Sequence, residues 1–484
     1  MTLYQCNVCL AFTYDPVQGE PIANIPPGTA ISEFPDTWRC PVCGSDASHL
    51  IPLPENTQRK DGDSVDNQIS TTRADISEQL IKRHRDQDQI EKWIDDIHTM
   101  AESGESIIEP MRTRSDVISW DDILIKGAQL ARIPVNHEVP VTTRTIIGSL
   151  AAQPMIIETP IMVTHMSFGA LSREVKTAIA LGTAAVMTAT GGGEGGMLSD
   201  EFGNAHRYIL EYVPNKYSIT PDILKAVDAI EIKIGQSAKP GLGAHLPGEK
   251  VTDEIAAIRG YPPGKDIISP ASFDDIRTPE DLKAKVTWLR EQSEGRPIGI
   301  KLAAGNIEAD LRVAISANPD FITIDGRPGA TGSASKIIKA ATSVPTIFAV
   351  YRARKFFDEH GVTGVSLIIT GGLRVSSDFA KALALGADAV AIGTAALMAC
   401  SCQQYRVCHT GACPVGVGTQ DPELRKRFRI TASAKKLENF LRVSTKELEE
   451  FARLTGNTNV HHLNISDLCT VNSEISDHTT IEHV

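Results

Sequence analysis

From about residue 110 onward, short apolar and β-branched runs alternate with longer stretches whose apolar residues recur at helical spacing. Eight such runs stand out: 161–166 (IMVTHM), 185–190 (AVMTAT), 229–234 (AIEIKI), 298–303 (IGIKLA), 321–325 (FITID), 346–350 (TIFAV), 366–370 (SLIIT) and 389–393 (AVAIG). Each is apolar on both faces and leads into a glycine-containing or polar loop and then a helical pattern. Parallel strands covered by helices on both sides require that arrangement. Eight βα units predict an α/β fold, a (β/α)8 barrel of the TIM type. A doubly wound open sheet is the alternative, though it usually has fewer strands. Upstream, residues 1–55 are rich in Pro and Cys, and 56–75 are polar and read as a linker. The stretch from Asp75 to Met100 carries Ile76, Leu80, Ile81, Ile90, Trp93, Ile94 and Ile97 at roughly helical spacing, with Asp75 or Ser77 as N-cap. The expected organisation is a small domain over 1–55, a linker and connecting helix over 56–109, the barrel over 110–430 and a helical extension over 431–484.

Composition removes several classes of function. The chain has 484 residues, 42% of them hydrophobic, enough for a sizeable core. A net charge of -12 argues against nucleic acid, whose phosphates require clustered Lys and Arg. No stretch approaches the roughly 18 apolar residues of a membrane span. The opening MTLYQCNVCLAF lacks the basic, apolar and small-residue segments of a secretory signal. The expectation is a cytoplasmic protein with no membrane partner, in a compartment that keeps thiols reduced.

That setting gives the nine cysteines their meaning. They fall into two groups, Cys6, Cys9, Cys40 and Cys43, then Cys400, Cys402, Cys408 and Cys413, with Cys469 apart as a small buried hydrophobe. Clustered thiols in a reducing compartment read as metal ligands. The knuckles CNVC (6–9) and CPVCG (40–44) make a tetrahedral sulfur site for iron or zinc, which ligand count alone does not separate. The second group has no such paired knuckle, which weighs against structural zinc there.

In a barrel, function sits where the strands end at their C-terminal edge. Those ends read THMSFGALS (164–172), TATGGGEGG (188–196), IKIGQSAKPG (232–241), KLAAGN (301–306), IDGRPGATGS (324–333), TGGLR (370–374) and AIGTAAL (391–397). The loops after strands 7 and 8 are the usual phosphate-binding place, so a phosphate-bearing cofactor is expected there. Taken singly, TGG and IGT would be ordinary turns. No dinucleotide fingerprint follows a strand, and TGGGEGG is not one.

Over roughly residues 110–430 the sequence closely resembles the FMN-binding domain of glutamate synthase in its short, archaeal-type form. The marks are MSFGALS (166–172), GEGGML (193–198), EIKIGQSAKPG (231–241), DGRPGATG (325–332) and CHTGACPVGVGTQDPELR (408–425). The resemblance implies a barrel that binds FMN through Met166, Ser167, Thr190, Lys233, Lys301, Asp325, Thr331, Gly332, Gly371, Gly372, Gly393 and Thr394. It implies a [3Fe–4S] cluster, since the family spacing of five then four intervening residues is matched by Cys402, Cys408 and Cys413 within a loop over 400–418. Cys400 is then a buried neighbour or the fourth ligand of a [4Fe–4S] cluster.

The implied activity is that of an oxidoreductase acting on CH–NH2 donors. In the family, 2-iminoglutarate formed from 2-oxoglutarate and ammonia is reduced to L-glutamate. Glu194 aligns with the family's acid/base, and Lys239 and Arg259 align with its binders of the oxoacid carboxylates. His245, in GAHLPG, stands where larger members have Gln in GGQLPG. PASFDDI (270–276) and PNKYS (214–218) also depart from the larger enzymes. These departures keep open an N-methylglutamate synthase-like or related amine paralogue, and a non-catalytic electron-transfer subunit is a further alternative. With no Cys at position 2 as amidotransferase nucleophile, ammonia is expected from solution or, glutamine-derived, from a separate amidotransferase subunit.

Residues 13–44 between the knuckles resemble rubredoxin, with Tyr4, Tyr14, Phe34 and Trp38 as the aromatic core of a very small fold. The resemblance implies mononuclear iron, with a zinc ribbon as the alternative. Leu10 and Ala11 stand where rubredoxins usually have Gly and Tyr, while Gly44 keeps the second knuckle turn. The implied path runs from an electron-donor protein such as ferredoxin, through rubredoxin iron and the Fe–S cluster, to FMN.

Overall fold

A computed structural model describes residues 3–8, 12–20, 24–42, 44–53 and 90–484. Cys9, Cys43, Leu10, Ala11 and the linker lie outside the described residues, as does most of the predicted connecting helix. Of that helix the described part runs from Ile94 to Ser103. The chain divides into two compact units, Met1–Ser103 and Gly104–Val484.

The first unit contains a three-stranded antiparallel sheet in which Tyr4–Cys6 lies between Thr13–Tyr14 and Leu50–Pro52. Its core holds Cys6, Tyr14, Ile25, Phe34, Trp38, Cys40 and Leu50, with Tyr4 packed against it. Tyr14 meets Phe34 edge to face at 4.9 Å and Phe34 meets Trp38 at 5.1 Å, spacings at which aromatic pairs attract beyond their burial. In the second knuckle the Gly44 amide bonds the Cys40 carbonyl at 2.8 Å with φ +75° at Gly44, a backbone that favours glycine.

The second unit is a closed parallel barrel of eight strands: β1 (Ile161–Val163), β2 (Ala189–Gly191), β3 (Arg207–Tyr212), β4 (Ala229–Lys233), β5 (Ile298–Ala303), β6 (Phe321–Asp325), β7 (Ser366–Thr370) and β8 (Ala389–Ile392). Each pairs with its neighbours in chain order, and β8 closes on β1. The helices that matter below are α1 (Arg173–Ala184), α2 (Ser199–Asn204), α3 (Asp253–Arg259), α4 (Thr346–Glu359), α5 (Thr394–Ala399) and α6 (Ile430–Leu454). The (β/α)8 expectation is met, with one strand misassigned. Residues 346–350 form the first turns of α4, and the strand that completes the barrel is β3. The TIFAV run continues as Ile347, Val350, Ala353 and Phe357, all buried and on one face at helical spacing, behind Pro345 as N-cap. RYILEY escaped because its Arg207 and Glu211 break the apolar pattern.

Glu211 shows how the strands use their two faces. Ile230, Ile232, Ile300, Leu302, Ile322 and Ile324 join the core between sheet and helices. The alternate positions Ala229, Glu231 and Lys233 lie in register with Ile209 and Glu211 of β3 and with Gly299 and Lys301 of β5. The interior is thus apolar below and charged above, not apolar throughout. Its lower half packs Met162, Ile209, Phe321 and Ile368 against Ile147, Met155 and Ile157 of an antiparallel hairpin. Beyond the barrel, α6 packs on α1, and Leu468–Thr470 pairs antiparallel with Ile123–Ile125.

Gly299 faces the Phe321 ring so closely that a Cβ there would lie 2.1 Å from a ring carbon. Gly299→Ala is expected to destabilise the barrel by about 1–3 kcal/mol through overpacking. Urea unfolding monitored by circular dichroism would measure this, and a wild-type midpoint would contradict it.

Candidate active site

Above the charged layer the barrel opens into a cavity of about 220 Å³ at the C-terminal strand ends. The strand-end loops bring Met166, Ser167, Glu194, Lys233, Lys239, His245, Arg259, Lys301, Asp325, Thr331, Gly332, Gly371, Gly372, Gly393 and Thr394 to its wall. Thr190 is not there. It is buried in β2, and its Oγ1 has no hydrogen-bond partner among the described residues. Of the second cysteine group, Cys402 and Cys408 reach the cavity, whereas Cys400 and Cys413 are buried away from it.

Glu194 is held against cations. Lys233 Nζ lies 2.7 Å from its Oε2 and 3.8 Å from Glu211, and Lys301 Nζ is 3.8 Å from the other oxygen of Glu211. Burial opposes a charge on Lys233, but the carboxylates of Glu211 and Glu194 outweigh it and hold the ammonium well above its ordinary pKa. Burial likewise works against the Glu211 carboxylate, and Lys233, His165 and Lys301 reverse it, leaving its pKa lowered. One level down, His165 Nε2 lies 2.7 Å from Glu231 Oε2, and the Thr323 hydroxyl donates to the same carboxylate.

The loops fit backbone to backbone. Gly193 has φ +81°, and a Cβ there would lie 2.5 Å from the Ser167 nitrogen, so the turn bearing Glu194 rests directly on the loop after β1. Gly371 is needed for packing, since its Cβ would meet the Gly326 carbonyl at 2.0 Å.

Lys239 and Arg259 both lose charge stabilisation on burial, and Lys239 is lowered further by Lys233. Arg259, at the end of α3, donates to the Phe168 carbonyl at 2.7 Å and lies over the Tyr217 ring, with its Nε unpartnered among the described residues. His245 is exposed and paired with Asp266 at 2.6 Å on a short ribbon over the mouth.

Arg374 follows the glycines after β7. Burial and the neighbouring Arg112 bring its pKa down to about 10; it donates to the Leu373 carbonyl and forms no ion pair among the described residues. In the cysteine loop, burial pushes the Cys408 thiol up to about 11, reinforced by Cys402 and Cys413, and Cys402 is raised by burial and by Cys413. Cys400, at the end of α5, is pushed by burial to about 12. Lys250 Nζ donates to the Cys408 carbonyl at 2.8 Å.

Sequence reasoning missed His165, Glu211, Lys250 and Arg374. Arg374 and His165 stood within loops already quoted, and their place at strand ends was the available signal. Glu211 depended on the unrecognised strand. Lys250 carried no motif.

The barrel mouth thus sets a carboxylate between two buried ammonium groups and gathers Arg374 and the Cys402 and Cys408 thiols on the same wall. Residues 89–458 match the conserved region in glutamate synthase, and residues 3–50 match rubredoxin. The chain is 35% identical to a glutamate synthase large subunit-like protein of Rhizobium meliloti, over 78% of this chain and 90% of that one. It is 37% identical to an archaeal-type glutamate synthase [NADPH] of Dehalococcoides mccartyi (74% and 76% covered) and 34% to an archaeal glutamate synthase [NADPH] of Methanocaldococcus jannaschii (76% and 78%). A solved mandelate oxidase variant with an FMN adduct aligns at TM-score 0.47 and 16% identity, over 72% of this chain and 88% of that one. The chain belongs to the glutamate synthase family of oxidoreductases and carries a rubredoxin domain at residues 3–50. No described helix is long and apolar enough to cross a membrane.

In protein stripped of metal, the Cys408 thiol at about 11 should be almost wholly protonated at pH 8. Its alkylation by iodoacetamide should run about 10²-fold slower than that of an ordinary free thiol, as thiolate fraction dictates. Mass spectrometry of the labelled peptide would report the rate.

Proposed function

We propose that the enzyme makes L-glutamate by reductive amination of 2-oxoglutarate with ammonia, using FMN in the barrel mouth, an Fe–S cluster at Cys402, Cys408 and Cys413, and rubredoxin-type iron at Cys6, Cys9, Cys40 and Cys43. The observation that carries this reading is the convergence of Glu194, Lys239 and Arg259 on one cavity that also reaches Cys402 and Cys408.

The residues present fit the groups. For FMN, Arg374, which makes no ion pair among the described residues, offers its guanidinium to a phosphate. Lys301, Ser167, Thr331 and the glycines after β7 and β8, all on the cavity wall, would be further contacts. For the cluster, Cys402 and Cys408 line the same cavity, and Cys413 follows them in the same loop. Cys400 ends α5 two residues before Cys402, and the family spacing met by Cys402, Cys408 and Cys413 supports three ligands and [3Fe–4S]. In the first unit, Cys6 and Cys40 are buried in the aromatic core, as a mononuclear sulfur site needs.

Lys239 and Arg259 supply the cations a dicarboxylate requires, with Arg259 able to form a bidentate pair. His245 would add a hydrogen bond from the ribbon. As the nitrogen of ammonia adds to C2 of 2-oxoglutarate, the carbonyl oxygen takes up two protons and leaves as water. Glu194, held by Lys233, is positioned to carry those protons. When bound, FMN would supply a hydride to C2 of the imine, and the two iron centres would supply its electrons one at a time. A donor protein such as ferredoxin, and ammonia from solution or from a separate amidotransferase, complete the requirements in a cytoplasm that keeps the thiols reduced.

A second reading, a substituted amine in place of ammonia, is favoured by one observation. The segments that depart from the larger enzymes contribute Pro214, Gly243, Pro270, Ala271 and Phe273 to a side cavity of about 20 Å³ that also touches Glu194 and Lys239. Room for one small group lies beside Glu194 and Lys239.

Anaerobically isolated protein should hold FMN and about four to five irons per chain without stoichiometric zinc. It should turn over 2-oxoglutarate with ammonia, and faster than it forms N-methylglutamate from methylamine and glutamate; the reverse order would establish the second reading. Glu194→Gln should keep flavin and iron while lowering turnover by about 10²-fold. Unchanged turnover would remove Glu194 from the mechanism.

A further inference from the structure

Lys176 is one of the largest fully buried side chains of the protein, only 1% exposed, and no step above uses it. It rises from the first turn of α1 into the space beneath the loops that follow β1 and β2. Its ammonium lies 2.5 Å from the Met166 carbonyl, 2.8 Å from the Gly192 carbonyl and 2.7 Å from Glu201 Oε1. The Gly191 carbonyl lies farther off at 3.5 Å, so the three N–H bonds of the ammonium are directed at backbone carbonyls while Glu201 stands beside it as the ion-pair partner.

The order of these partners along the chain is informative. Gly192 opens the segment that leaves β2, Glu194 follows it, and Glu201 sits on α2, where the segment ends. One buried cation therefore grips both ends of the excursion that carries Glu194. Its third contact, at Met166, ties that excursion to the loop after β1, which the turn at Gly193 already touches. The Tyr208 hydroxyl lies 3.5 Å from Glu201 and fills the space a Cβ on Gly192 would need, at 2.2 Å. Burial pushes the Glu201 carboxyl up to about 7, with Lys176 opposing that rise.

We propose that Lys176, with Glu201 as its counter-ion, is a positioning residue that sets where the Glu194 carboxylate stands relative to the loop after β1. Burying this pair is expensive, and an apolar pair of similar volume would fill the space at little or no loss of stability. It would not hold the two carbonyls. The inference rests on the reading of Glu194 as acid/base.

The test separates positioning from folding. Lys176→Met alone strands the Glu201 carboxylate, whereas Lys176→Met with Glu201→Met removes both charges. The double variant should melt within a few degrees of wild type and retain flavin. Its kcat should fall at least about tenfold, with KM for 2-oxoglutarate within about threefold, since a misplaced group costs rate more than binding. In a Glu194→Gln background the same pair of changes should cost nothing further. Equal losses in both backgrounds, or an unchanged kcat, would overturn the proposal. Should the double variant fail to fold, Glu201→Gln keeps the shape and removes only the charge; it should show the same dependence on Glu194, and its absence would overturn the proposal. If wild-type protein makes no glutamate from 2-oxoglutarate and ammonia, the functional reading fails on its own. Amide exchange then decides: residues 191–198 should exchange at least about tenfold faster in the variant while the loops after β7 and β8 do not change. Unaltered exchange at 191–198 would overturn the proposal.

Discussion

The upper interior of the barrel is organised by an alternation of buried charges in which Glu194, Lys233, Glu211 and Lys301 each face a neighbour of opposite sign. Away from water such groups are tolerable only when paired, and losing one leaves the rest uncompensated. This constraint fixes which strand positions can be charged, and the closed register fixes where they meet. Lys233 and Lys301 are directly paired across β4 and β5. They stand side by side because Glu211 on β3 shares its two oxygens between them.

The lower interior makes this possible. Met162, Ile209, Phe321 and Ile368 fill the barrel against the hairpin residues Ile147, Met155 and Ile157. With that end packed, the charged layer faces one mouth. The residues that differ most in chemistry, the Glu194 carboxylate, the Arg374 guanidinium and the Cys402 and Cys408 thiols, share it because they all follow C-terminal strand ends or the helix after β8.

Much of this was legible in the sequence where local pattern and tertiary demand agree. Seven of the eight apolar runs contain or overlap barrel strands, and nearly all strand-end residues singled out beforehand line the cavity. The errors have a common physical source. TIFAV has the composition of a strand, yet its apolar residues serve a helix face behind a proline. RYILEY looks too polar for a buried strand, because the partners that make Glu211 affordable come from β4 and β5, far away in sequence. Thr190 was placed by alignment of motifs, but the inward and outward alternation of a strand turned it away from the cavity. Lys176 and Lys250 answer carbonyls, and carbonyls leave no trace in a sequence.

Helix α6 lies against α1 so closely that a Cβ on Gly182 would meet the Ala434 carbonyl at 2.9 Å, and Lys436 reaches Ser401 at 3.1 Å beside the cysteine loop. Farther on, Leu468–Thr470 closes a sheet with Ile123–Ile125 from the start of the same unit. On the ribosome, the strands and their loops emerge well before these braces exist. The helix that bears Lys176 and the loop that bears the thiols are therefore completed only when residues 430–470 fold back, so that the mouth matures after the barrel strands have emerged.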